Sequence, residues 1–163
     1  MIFLGIDPGT TTVWFALLEK GEKKYTILEY GVIETTPRES IWQKILWIVH
    51  DLDMLIQTYQ PQVCWIEKLF FMKNVKTGID VAQARWAVLY TLLSRGIIVK
   101  EFTPLQVKQW ITGNGNAKKQ QIQNAVKMLF WLEEIPKPDD AADALAIAYI
   151  TAISTQHKKP LYF

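Results

Sequence analysis

Two short apolar runs in this chain each end on an acid, and that placement constrains the fold more than any other feature. Ile2 to Ile6 leads into Asp7-Pro8-Gly9-Thr10, and Val63 to Ile66 leads directly into Glu67. A short apolar run bounded by turn signals reads as a buried strand, and Asp-Pro-Gly-Thr is a sharp turn. A carboxylate at the end of a buried strand is costly to place unless something stabilises its charge. The chain therefore has to bring two strand ends to a place where negative charge is useful or partnered.

The remaining pattern supplies the frame. Thr12 to Leu18 and Tyr25 to Glu34 read as strands joined by the polar hairpin turn Gly21-Glu22-Lys23-Lys24. Arg38 to Gln57 carries Ile41, Ile45, Ile48, Leu52 and Leu55 at helical spacing. Lys68 to Gly78 reads as a loop, Ile79 to Ser94 as a helix stopped by Gly96, and Ile97 to Phe102 as a fifth strand. Thr103-Pro104-Leu105-Gln106 has capping-box spacing with proline at the first helical position, and opens a short helix to Ile111. Gly113-Asn114-Gly115-Asn116 breaks the chain, with Asn116 placed to cap a helix to about Leu132. After Pro136 and Pro138, a last helix runs from near Asp139 to about Ser154, followed by a short basic tail from His157 to Phe163.

Three strands, helix, strand, helix, strand and then helices imply an α/β fold: a mixed five-stranded sheet with helices on both faces. In such sheets sites form outside the carboxyl ends of the strands, where Asp7 and Glu67 stand. At 163 residues, with no internal repeat or long linker, residues 1–163 read as a single domain. Half of the residues are apolar, which excludes a disordered chain. The net charge of +2 neither requires nor excludes nucleic acid, so local clustering decides. The one cysteine, Cys64, sits in an apolar run and fits a reducing compartment. The N-terminus has no signal-peptide pattern, and no apolar run approaches the ~20 residues that span a bilayer. A cytoplasmic location is expected.

Asp140 and Asp143 are three apart at the start of the last helix, so they share a face and repel. The helix dipole offsets only part of this. A hard divalent cation resolves it, because Mg²⁺ and Mn²⁺ take carboxylate oxygens. Clustered carboxylates without histidine or cysteine suit two-metal phosphodiester hydrolysis; His50 and His157 lie in no metal-ligand pattern. Each acid has a plainer reading. Asp7 before Pro8 could form only a turn, Asp139 or Asp140 could be only an N-cap, and Glu67 could be an exposed strand-end acid.

Gly5-Ile6-Asp7-Pro8-Gly9-Thr10 together with Asp140-Ala141-Ala142-Asp143-Ala144-Leu145-Ala146 resembles the RuvC family of Holliday-junction resolvases. Ile66-Glu67, the Phe70 to Asn74 loop, Gln83-Ala84-Arg85 and Val107-Lys108-Gln109 look like that family in the same order, so the match runs from Ile2 to about Ile153. The resemblance implies an RNase H-like nuclease domain, a homodimer, and Mg²⁺-dependent cleavage with two ions per site, Mn²⁺ substituting. The substrate implied is four-way DNA, nicked symmetrically in recombination and repair to leave 5′-phosphate and 3′-hydroxyl ends. A branch-migration helicase is the implied partner. By motif position Asp7, Glu67, Asp140 and Asp143 are the metal ligands and catalytic acids, with Lys119 an electrostatic helper. Phe70 falls where the family stacks an aromatic on a junction base, and Phe71 could share that role; the alternative is that one ring joins the core. Lys73, Lys76, Lys108, Lys118 and Lys119 are candidates for phosphate contact; Lys118 also reads as part of a solvated helix face. Arg85 is a candidate for DNA-backbone contact, with a structural ion pair as the equal alternative.

The chain departs from the family where small residues are usual: Val13-Trp14-Phe15 fills the second strand, and Trp86 follows Gln-Ala-Arg. Both bear on assembly rather than chemistry. Most of the seven tryptophans are expected in the core, some at a dimer interface. The competing functions are an RNase H-like nuclease acting on RNA or simpler DNA branches, a catalytically dead junction-binding protein, and an actin- or sugar-kinase-like ATPase. The last also opens on a Gly-Ile-Asp-x-Gly-Thr-Thr phosphate turn, but it needs two domains and a later glycine-rich loop.

Overall fold

The computed structural model describes residues 1–22, 24–68 and 75–155, with side chains left aside at 75–77. Ten elements follow one another: β1 (Ile2–Pro8), β2 (Thr12–Lys20), β3 (Tyr25–Glu34), α1 (Ile41–Tyr59), β4 (Val63–Glu67), α2 (Val75–Ser94), β5 (Ile98–Phe102), α3 (Pro104–Thr112), α4 (Lys119–Leu129) and α5 (Asp139–Ser154). They build a five-stranded sheet in the order β3-β2-β1-β4-β5. β1, β2 and β3 pair antiparallel as a meander, while β4 runs parallel to β1, and β5 parallel to β4.

The period of two along the strands sorts side chains onto two cores. Leu4, Ile6, Val13, Leu17, Cys64 and Ile66 face α1 and α2, where Ile48, Leu52, Val88 and Leu92 meet them. Phe3, Ala16, Leu18, Val63, Trp65 and Phe102 face α3, α4 and α5, where Val107, Ile122, Val126 and Leu145 meet them. The register Ile6 opposite Ile66 brings the next residues, Asp7 and Glu67, side by side on the α5 face. Gly5 lets that helix come close: a Cβ there would stand 2.4 Å from Ala148 N and 2.8 Å from Ala144 O. The alanines of α5 serve the same end, with Ala141, Ala144 and Ala148 all buried.

The caps explain where the helices begin and where the sequence expectations need correcting. Ser40 Oγ accepts from Gln43 N–H at 3.3 Å and starts α1. Thr103 and Gln106 form the expected reciprocal capping box, with Pro104 at the first position. Asn116 does not cap α4. Its N–H is held by Asn114 Oδ1 at 2.9 Å, and the helix starts after Lys118, whose N–H donates to Gln121 Oε1 at 2.8 Å. α4 also stops at Leu129, short of Leu132, and Trp131 beyond it takes the left-handed φ of 55°. α2 begins at Val75 rather than Ile79. Neither Asp139 nor Asp140 is the N-cap of α5: Pro138, at φ −68° and ψ 179°, holds that place, and both acids lie in the first turn.

The tryptophans depart most from expectation. Trp65 is buried, and Trp14 and Trp110 pack partly buried on the α5-side core, but Trp42, Trp47, Trp86 and Trp131 are exposed. Helix and loop positions on the outer surface, not strand positions, carry these four.

Candidate active site

Asp7 closes β1, Glu67 closes β4, and Asp140 and Asp143 sit on the first turns of α5. Two adjacent parallel strands and one helix N-terminus thus deliver the acids from three separate stretches of sequence to one end of the sheet. Lys119, the first residue of α4, enters the same place. Its ammonium lies 3.0 Å from Asp140 Oδ1, 3.6 Å from Asp143 Oδ2 and 3.8 Å from Asp139 Oδ2. Asp139, weighed from sequence only as a cap, belongs to this group of charges.

The electrostatics follow from crowding and burial. Burial raises the Asp7 carboxyl; a hydrogen bond from Glu67 and the Lys119 charge oppose the shift, and Asp140 adds to it. Burial, then the Asp7 charge and its hydrogen bond, push Glu67 up. Each of the two strand-end carboxyls thus shifts the other. Burial raises Asp143 to about 6, with Lys119 opposing and Asp7 and Asp140 reinforcing. Burial alone would lower Lys119, but the Asp140 hydrogen bond and the charges of Asp143, Asp140 and Asp139 outweigh it and raise it. Among the described residues no three acids, histidines or cysteines lie close enough to hold one ion as they stand. The donor set nevertheless fits a hard divalent cation: every donor is a carboxylate oxygen, the carboxylates repel, and a lysine ammonium already supplies the missing positive charge. Asp7, Glu67, Asp140 and Asp143 are the residues that would hold such ions.

Asp7, Glu67 and Asp143 open into a cleft of about 230 Å³, which Lys108, Lys119, Phe102, Pro104, Val107, Ile122 and Ile147 also line. Lys108 therefore reaches the site from α3. Lys118 is exposed at the start of α4. Arg85 takes the structural alternative. It is 6% exposed, its Nε donates to the Glu67 carbonyl at 3.0 Å, and its guanidinium pairs with Glu101 on β5. A guanidinium held inside does not reach a phosphate. Lys68 N–H adds a bond of 2.7 Å to the Phe102 carbonyl, so the end of β4 is fixed from two sides. Glu101 and the apolar lining of the cleft were missed from sequence, where neither has a local signal. Phe70, Phe71 and Lys73 lie outside the described residues, as does the side chain of Lys76.

Comparison with known proteins agrees with this geometry. The family model described as crossover junction endodeoxyribonuclease RuvC matches residues 3–151. The crossover junction endodeoxyribonuclease RuvC of Petrotoga mobilis is 45% identical over 149 residues, covering 91% of each chain. That of Halothermothrix orenii is 47% identical over 148 residues, covering 91% of this chain and 90% of its own. The solved Thermus thermophilus RuvC in complex with Holliday junction substrate is 31% identical and superposes with a TM-score of 0.88, over 95% of this chain and 94% of that one. The mixed sheet flanked by helices is accordingly an RNase H-like fold. The chain belongs to the RuvC family of crossover junction endodeoxyribonucleases, which are divalent-metal-dependent nucleases.

Proposed function

We propose that this enzyme resolves four-way DNA junctions by symmetric paired nicks, with Asp7, Glu67, Asp140 and Asp143 holding two Mg²⁺ ions per site, which Mn²⁺ can replace. The observation that carries this reading is the delivery of these four acids and Lys119 to one end of the sheet. A relative of nearly equal length, solved with a Holliday junction substrate, supports the choice of DNA.

Bound there, divalent cations would polarise the phosphoryl group and make water a better nucleophile. The chain's own residues fix everything else. Asp7 and Glu67, anchored on neighbouring strands, hold one side of the site, and Asp140 and Asp143 hold the other. Lys119 and Lys108 reach the same cleft and stabilise charge that grows on the phosphate during in-line attack. Cleavage leaves a 5′-phosphate and a 3′-hydroxyl. Lys118 on the α4 rim, with Lys73 and Lys76, adds sequence-independent phosphate contacts, and Phe70 with Phe71 stacks on unpaired bases at the junction centre.

Paired nicking needs two sites, and the outer face of α2 supplies a surface for a second copy. Ile79, Trp86, Tyr90 and Leu93 are all exposed and recur at spacings of seven, four and three residues, the pattern of a helix–helix seam. Such a two-fold interface uses one patch twice. Residues 1–163 act as one nuclease domain per protomer, in the cytoplasm, with a branch-migration helicase as further partner.

The test compares a four-way junction, a Y-branch, plain duplex and an RNA–DNA hybrid with purified protein and Mg²⁺. Preferential paired nicking of the four-way junction is expected, and equal cutting of plain duplex overturns the proposal. Asp7→Asn should keep junction binding and lose Mg²⁺-dependent cleavage; cleavage surviving in that variant removes Asp7 from the metal set.

A further inference from the structure

The cleft beside the acids has a mixed lining. Asp7, Glu67, Asp143, Lys108 and Lys119 supply its charge. Its apolar part, formed by Phe102 at the end of β5, Pro104 and Val107 on α3, Ile122 on α4 and Ile147 on α5, offers no side-chain donor or acceptor. Phe102, Val107, Ile122 and Ile147 belong to the core on the α5 side, and the small part of each that is left exposed is what the cleft meets. The cleft of about 230 Å³ is several times the ~30 Å³ that one water occupies in the liquid. Asp7, Glu67 and Asp143 are part of its lining, so a phosphate held over them borders the cleft. The group covalently nearest that phosphate is a furanose ring.

We propose that this apolar wall is the sugar-specificity element of the site: it receives the furanose next to the scissile phosphate and selects deoxyribose over ribose. This rests on the nuclease reading above. A deoxyribose presents a methylene at the 2′ position, which loses nothing against Val107, Ile122 and Ile147. A ribose presents a hydroxyl, which must give up water against these side chains and finds no partner among them, and burying an unpartnered hydroxyl is penalised. Selection therefore comes from what the pocket lacks, not from a contact with the 2′ position. The same wall explains how a site whose metal chemistry suits RNA equally well discriminates between them.

The test uses wild-type protein and four-way junctions carrying a single altered sugar at one of the two nucleotides flanking the scissile phosphate. Deoxyribose, ribose and 2′-fluoro-deoxyribose are compared in single-turnover cleavage, alongside junction affinity. The fluoro sugar adopts a ribose-like pucker without an O–H to desolvate. At one flanking position, ribose should slow cleavage about tenfold, or about 1.4 kcal/mol of transition-state stabilisation, while the fluoro sugar cuts close to the deoxy rate. Affinity, set mostly by phosphates elsewhere, should hardly change. Val107→Thr, which places a hydroxyl in the wall at nearly constant shape, should narrow the ratio of deoxy to ribo rates. Equal rates for all three sugars at both positions overturn the proposal, and equal slowing by ribose and fluoro sugar assigns the effect to pucker and overturns it too. Failure to cut the all-deoxy junction would instead sink the nuclease reading itself, so the two failures are distinct.

Discussion

At the scale of single residues, Arg85 shows how a basic side chain within a nuclease motif is built into the frame behind the site. Its guanidinium joins three elements: α2 that carries it, the Glu67 carbonyl on β4, and the Glu101 carboxylate on β5. Glu67 therefore owes its position to a buried cation behind it as well as to its own strand. Exchanging Arg85 for Met should cost about 1–3 kcal/mol, because one hydrogen-bonded carbonyl loses its partner while Glu101, half exposed, recovers water. Cleavage should then demand more Mg²⁺ than in the wild type. The salt dependence of junction binding, which falls by about one unit of slope per lost phosphate contact, should stay unchanged. A reduced slope in Arg85→Met would restore Arg85 to the DNA surface. Nothing in the local sequence distinguishes the two roles, since both need an arginine on that helix; the deciding partner, Glu101, lies sixteen residues away.

At the scale of elements, the inner strands and the last helix were legible because they rest on local pattern. Ile2–Pro8, Val63–Glu67 and Asp139–Ser154 fall where apolar runs and turn signals put them. The ends of α4 and the start of α2 were not. Asn116 looked like a cap, but its own N–H is engaged by Asn114, and the helix starts three residues later. The tight crossing of β1 and α5 was also illegible, although Gly5 and the alanines that make it possible are plain in the sequence. A glycine inside a strand signals a bulge or a close approach, and only the packed structure shows which. Gly5→Ala decides how much that crossing matters. Its Cβ would meet backbone atoms of Ala144 and Ala148, which cannot rotate away as a side chain could. Overpacking of this kind costs about 1–3 kcal/mol, readable as a lower denaturant midpoint. Because Asp7 lies two residues along the same face, opposite α5 and Asp143, cleavage should fall by more than the loss of folded protein explains. Gly5→Ala with a wild-type midpoint and wild-type rate would mean that α5 has slack at this crossing.

At the scale of the whole molecule, the carboxylate cluster makes stability depend on pH and on metal together. Burial and mutual repulsion raise Asp7, raise Glu67 to about 8 and raise Asp143 to about 6. An acid whose folded pKa is raised holds its proton in the folded state at pH values where the unfolded chain has released it. Its favourable contribution is complete below the unfolded value and is lost as pH rises through the folded one. For Glu67 that window runs from its ordinary 4.5 to about 8, and for Asp143 from 3.8 to about 6. The metal-free enzyme should therefore lose stability from this cluster between pH 3.8 and about pH 8. Divalent cations bind the deprotonated set in the folded state alone, and so stabilise most where the strain is greatest. Thermal melts with chelator and with saturating Mg²⁺, taken at steps from about pH 5 to pH 8, should show a metal-induced rise in Tm that grows with pH. The double variant Asp7→Asn, Glu67→Gln should flatten the metal-free trend, because its amides carry no charge to repel, and should lose most of the metal response. A metal-induced shift that is the same at both ends of the range, or a double variant that keeps the wild-type slope, would mean that these carboxylates do not take up cations together.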